Sequence, residues 1–167
     1  IAEAKSALKI LGISDIHFGS RLCVQFDTLP HITIVKEIEQ HLKEFKPTKL
    51  FTHNASEVNI DHRLTYEAVE AACRPINSEY IPSEIYTFEV VCSGSFKFKS
   101  SFFPNVFVDI SKTWDVKVKA WECYKVESRP FPFPRSIKGL ETLAQYRGLS
   151  SGMEKVEAFN LARMLVK

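Results

Sequence analysis

The densest group of acid–base and metal-capable side chains lies at residues 52–63, T-H-N-A-S-E-V-N-I-D-H-R, with His53 and His62, Glu57 and Asp61, and Asn54 and Asn59. A neutral imidazole is a good zinc ligand, and a carboxylate that holds its other ring nitrogen, or orients a nearby group, commonly supports it. His62, preceded by Asp61, is the candidate ligand on those grounds. The competing reading is a plain polar helix face, since a lone His followed by Arg is usually that. Asn59 and Asp61 have their own alternative: either side chain can cap a helix by accepting from the unpaired N–H groups of its first turn. His53 is open in the same way, between a site residue and an ordinary core or surface imidazole.

The elements that must position these residues follow from periodicity. K-L-F-T reads as a buried strand that delivers His53 at its tip, Glu57 and Asn59 fall in the loop after it, and a helix runs from about Asp61 to Cys73, stopped by Pro75. A loop at a strand's end can converge several side chains without disturbing the core. Upstream, Ala4, Ala7, Leu8 and Leu11 have helical spacing with Gly12 as the stop. I-S-D-I-H-F-G then reads as a short strand, and Ile34, Val35, Ile38, Leu42 and Phe45 line one face of a helix over His31–Phe45 that ends at Pro47. Downstream, I-Y-T-F-E-V and V-F-V-D-I are strands, Trp114, Val118 and Trp121 mark a helix, and Pro130, Pro132 and Pro134 make an extended connector before a helix from about Ser136 to Tyr146. E-A-F-N-L-A-R-M-L-V fits helix or strand. Alternating strands and helices predict right-handed crossovers and a mostly parallel, Rossmann-like α/β sheet, whose ligands gather at the carboxyl ends of its strands.

At 167 residues and 45% hydrophobic, the chain can bury one core and is expected to be one domain, residues 1–167. A net charge of +2 with scattered Lys and Arg argues against a nucleic-acid partner. No apolar run is long enough to span a bilayer, and the charged start lacks a secretion signal's apolar core. Cys23, Cys73, Cys92 and Cys123 form no C-x-x-C pair, so a reducing compartment, the cytoplasm, is the expectation.

N-I-D-H-R-L-T-Y-E-A-V-E-A-A-C-R-P resembles the second signature of the PIG-L/LmbE deacetylases. Glu3, Ala7 and L-G at Leu11 and Gly12 look like that family's helix after its first strands, and K-P-T-K-L-F-T-H like its strand into the site. F-V-D-I-S with Lys117, Ala120 and Tyr124, then P-R-S, L-A-Q-Y-R-G and E-A-F-N-L-A-R, are similar to its later segments in order. The resemblance implies a Rossmann-like deacetylase fold with zinc as cofactor and His62 as a metal ligand. Catalytic roles fall to Asp61 as orienting carboxylate and to Asn59 and His53 as contacts for the acyl oxygen or the amine. Arg63 and Arg135 are the candidate substrate-binding residues, an exposed helix Arg being the plainer reading of Arg63.

The family's H-P-D-D motif, which supplies the other zinc ligands and the base, is absent from this chain, so those ligands are expected upstream of residue 1, with the first strand or strands, and these 167 residues alone are expected to be inactive and to bind zinc weakly. Many relatives have H-P-D-H where Asn59 begins the matching motif here; a subgroup with N-x-D-H has a second His where Asn54 stands, Asp and Asn where Cys23 and Val24 stand, and His where Phe133 stands. The implied function is removal of an N-acetyl or other N-acyl group from an amino sugar or sugar conjugate. A non-catalytic sugar- or nucleotide-sugar-binding protein on the same fold is the alternative, followed by a zinc hydratase. A homo-oligomer is compatible with all three.

Overall fold

Apolar spacing, helix caps and prolines determine where the helices of this chain begin and stop. The computed structural model describes residues 1–75, 80–98 and 102–166. Its elements are α1 (Ala2–Ile10), α2 (His31–Phe45), β1 (Lys49–His53), α3 (Ile60–Ala72), β2 (Glu84–Phe88), β3 (Val106–Asp109), α4 (Trp114–Trp121), α5 (Ile137–Leu149) and β4 (Val156–Met164), with a 3-10 turn at Phe26–Thr28. The strands form a four-stranded sheet in the order β1-β2-β4-β3. The chain clusters into two compact units, Arg21–Val106 with Phe159–Lys167, and Ile1–Ser20 with Phe107–Ala158.

In the unit built on Arg21–Val106, α2 buries Ile34, Val35 and Leu42 against Ala68, Val69 and Ala72 of α3, with Cys73 and Ile85 completing the cluster. The helix stops where Lys46 turns left-handed (φ 49°, ψ 56°) ahead of Pro47. β1 and β2 pair in parallel from Lys49↔Glu84 to His53↔Phe88, so their carboxyl ends are level. A parallel pair needs a crossover, and α3 supplies it. β4 pairs antiparallel with β2, Met164 opposite Glu84 and Phe159 opposite Phe88, with an irregularity between Ile85 and Tyr86. Phe51, Tyr86 and Phe159 pack ring to ring across these three strands, with the Phe51 and Tyr86 centroids 4.9 Å apart.

In the other unit, Ile110, Trp114 and Ala144 make the buried cluster, with Val118 and Leu140 against it. Ser136 caps α5 by accepting from the Gly139 N–H (2.9 Å). Gly139 and Gly148 have no room for a side chain: a Cβ would lie 2.4 Å from the Pro134 carbonyl oxygen at the first and 2.3 Å from the Met153 carbonyl oxygen at the second.

The α/β class expected from sequence stands, with two differences in detail. The sheet is mixed, because β1 and β2 are parallel while β4 runs against β2. The segment E-A-F-N-L-A-R-M lies within β4 and makes the difference, running against β2 with Met164 opposite Glu84. Residues 13–19 are not a strand. Their alternation is real, but they are mostly exposed and join no sheet, and Asp15 pairs with His17 only two residues away. Of the Phe- and Ser-rich stretch from Phe96 to Ile110, whose composition predicts one or two strands, residues 99–101 lie outside the described residues.

Candidate functional site

β1 ends at His53 and β2 at Phe88, directly opposite one another, and the two loops that leave these ends meet on Glu57. His53 and His62 are brought together: their rings stack with centroids 4.1 Å apart and planes 18° from parallel. Phe88 closes the other side of His53 at 5.1 Å. Burial first, and the neighbouring His62 second, lower the His53 pKa to about 4. His53 is therefore a neutral imidazole at neutral pH, and its Nδ1 is buried without a hydrogen-bond partner among the described residues. A buried polar nitrogen left unpaired is costly, and a site awaiting a ligand is one place where that cost persists.

Glu57 is fully buried. Its Oε2 accepts from Ser93 Oγ (2.5 Å) and lies 3.3 Å from His62 Nδ1, while Oε1 accepts from the Val90 N–H (3.2 Å). Its backbone carbonyl accepts from Arg63 Nη1 (2.8 Å) and Lys97 Nζ (3.3 Å). Sequence reasoning placed Glu57 in the loop but gave it no role. Its partners Ser93 and Val90 are far off in sequence and follow no periodic pattern, so the only available signal was a carboxylate five residues before a candidate ligand on a strand-end loop.

Asp61 has other partners. Both carboxylate oxygens accept backbone N–H groups, from Val24 and from Phe26 (3.0 Å). Val24 needs that support, since a β-branched residue at φ 58° carries about 1–3 kcal/mol of backbone strain. Cys23 is exposed on the same segment. Asn59 caps α3: its Oδ1 accepts from the Asp61 N–H (2.9 Å). Arg63 fastens the loop, with Nη1 donating to the carbonyls of Glu57 and Val58. Asn54 donates to Thr87 Oγ1 (3.2 Å) and accepts from the Ser56 N–H (2.8 Å). Arg135 and Phe133 belong to the other unit, where the Arg135 guanidinium pairs with Glu127 and Arg129 lies over the Phe133 ring.

Among the described residues no three His, Cys, Asp or Glu side chains converge as a metal cage. The donors do fit one corner of a zinc site: a ring with a carboxylate at Nδ1 leaves Nε2 as its ligating nitrogen.

The sequence profile of the family described as PIG-L: GlcNAc-PI de-N-acetylase matches residues 1–73, which include the whole His53–His62 loop. Those residues are similar to that family. Several solved structures share its fold. N,N'-diacetylchitobiose deacetylase from Pyrococcus horikoshii superposes with a TM-score of 0.72 at 21% identity, over 96% of this chain and 61% of its own. A conserved protein from Thermus thermophilus gives 0.71 at 18% identity, over 99% and 74%. A teicoplanin deacetylase in its zinc-inhibited form gives 0.67 at 16% identity, over 95% and 71%. The chain thus spans less than two thirds of the chitobiose deacetylase. No curated protein matches it in sequence.

Proposed function

We propose that this chain carries one corner of the active site of a zinc-dependent amide hydrolase that removes an N-acetyl or other N-acyl group from an amino sugar or sugar conjugate. The observation that carries the reading is the His62 ring, backed at Nδ1 by the buried Glu57 carboxylate and stacked on His53 at the carboxyl end of a parallel strand pair. That end of the sheet is where folds of this class bind ligands. The PIG-L match over the same loop and the deacetylases among the structural neighbours support it.

His62 would hold the metal through Nε2. Zinc, when bound, supplies Lewis acidity toward an acyl carbonyl and activates a water. The chain's own residues shape what surrounds that chemistry. His53 is neutral and has a buried nitrogen free to meet the acyl oxygen or the leaving amine. Asn59 spends its oxygen on the helix cap, which leaves its NH₂ as the group to donate to an acyl oxygen. Asp61 acts by fixing the backbone at Val24 and Phe26, and Arg63 by holding the loop carbonyls.

A sugar-binding protein that keeps this fold without catalysis is favoured by one observation: Asn54 is committed to Thr87 and Ser56 within its own loop, where the resembling subgroup has a second His.

The test is amine release from a panel of N-acetylglucosamine conjugates by the full-length gene product, with zinc content measured alongside. Replacing His62 by Ala is expected to remove bound zinc and bring amine release to background. Unchanged turnover in that variant would end the deacetylase reading of this loop, and zinc binding without turnover in the wild type would favour the binding protein.

A further inference from the structure

We infer that Glu57, clamped by the turn at residues 90–94, is the positioning residue that fixes the ring of His62 with its proton on Nδ1 and its lone pair on Nε2. The inference rests on the reading of His62 as a metal ligand.

The Glu57 carboxylate accepts from the Val90 N–H at Oε1 and from Ser93 Oγ at Oε2, and His62 Nδ1 lies 3.3 Å from Oε2. A carboxylate that already accepts two hydrogen bonds keeps lone pairs for a third, and it has no proton of its own to offer. His62 Nδ1 must then be the donor. Ser93 Oγ also lies 3.4 Å from His62 Nδ1, but it has one hydrogen, and the 2.5 Å contact to Glu57 claims it. In a free neutral histidine either nitrogen can carry the proton, and the hydrogen bond made by one decides what the other does.

The clamp is built for the carboxylate. Val58 N–H donates to the Ser93 carbonyl (3.2 Å) and Gly94 N–H to the Val90 carbonyl (2.9 Å), which ties the turn both to itself and to the loop. Cys92 sits at φ 86°, a strained conformation for a residue with a side chain, and so turns Ser93 inward. A Cβ on Gly94 would lie 3.3 Å from Glu57 Oε1, so the absence of a side chain there lets the turn close over the carboxylate.

The experiment is two-bond ¹H–¹⁵N correlation of the histidine rings in the 167-residue chain, at a pH well above the ordinary histidine range. The wild type is expected to show His62 protonated on Nδ1. An Nε2-protonated ring would overturn the inference with no variant needed. Glu57→Gln should shift the ring toward Nε2–H, because an amide can offer its NH₂ to Nδ1. Should that variant fail to fold, Ser93→Ala decides: the Nδ1–H form persists if Glu57 is the acceptor, and a changed tautomer means the serine governed the ring. In the full-length product, Glu57→Gln should weaken zinc about 10–100-fold, as lost carboxylate partners of metal-bound histidines do, and unchanged affinity counts against the inference. If His62→Ala leaves zinc in place, the functional reading fails, and the tautomer still decides whether Glu57 sets the ring.

Discussion

Glu57 and Asp61 are carboxylates four residues apart, and each oxygen of each is already assigned by the fold. Asp61 accepts two backbone N–H groups from a segment in which Val24 is left-handed. Its removal leaves two donors without their acceptor at a part-buried place, so Asp61→Ala is expected to destabilise the fold by up to about 6 kcal/mol, each fully orphaned group costing about 1–3. Asp61→Asn keeps one accepting oxygen and should cost less. Denaturant unfolding checks both, and a loss of turnover in Asp61→Asn with unchanged stability would return Asp61 to a direct catalytic role. Residue types were readable in sequence to this extent: His53 ends β1, Asn59 caps α3, Asp61 and His62 open that helix, and the His53 and His62 rings stack. Which carboxylate serves which partner was not readable. Adjacency suggested Asp61 for His62, but successive positions on a helix point about 100° apart, whereas the loop carries Glu57 back beneath the ring.

At the scale of elements, period and punctuation account for what sequence could reach. α2 was bounded by its apolar face and Pro47, and α3 by Pro75 and a start near Asp61 with Asn59 or Asp61 as cap, of which Asn59 is the one that caps it. β4 was ambiguous because A-F-N-L-A-R neither alternates strictly nor keeps a helical stripe; its pairing with β2 decides it. Residues 13–19 show the converse, alternation that joins no sheet. The turn at 90–94 was invisible because its hydrogen bonds are long-range and its strain follows no local propensity. Glycine contacts give a sharp test of the helix ends. A Cβ at Gly148 would meet backbone carbonyls of Met153 and Glu154 at 2.3 and 2.8 Å, and backbone cannot swing aside as a side chain would. Gly148→Ala is therefore expected to cost about 1–3 kcal/mol, seen as a lower midpoint in thermal unfolding. Gly152→Ala meets no contact within 4 Å and pays only for its positive φ of 71°, so it is the control; equal losses in the two would refute the packing argument.

For the whole molecule, the described residues hold an α/β fold shared with solved deacetylases, and no described helix is long and apolar enough to cross a membrane. A catalytic zinc centre takes three protein ligands and an open position. The central claim is accordingly about a single atom, Nε2 of His62, and it is tested most directly by locating zinc through anomalous scattering in crystals of the full-length gene product. A zinc peak bonded to His62 Nε2, with Glu57 still at Nδ1, is the predicted result. Zinc bound through Nδ1, or bound elsewhere with the His62 ring free, would contradict the account.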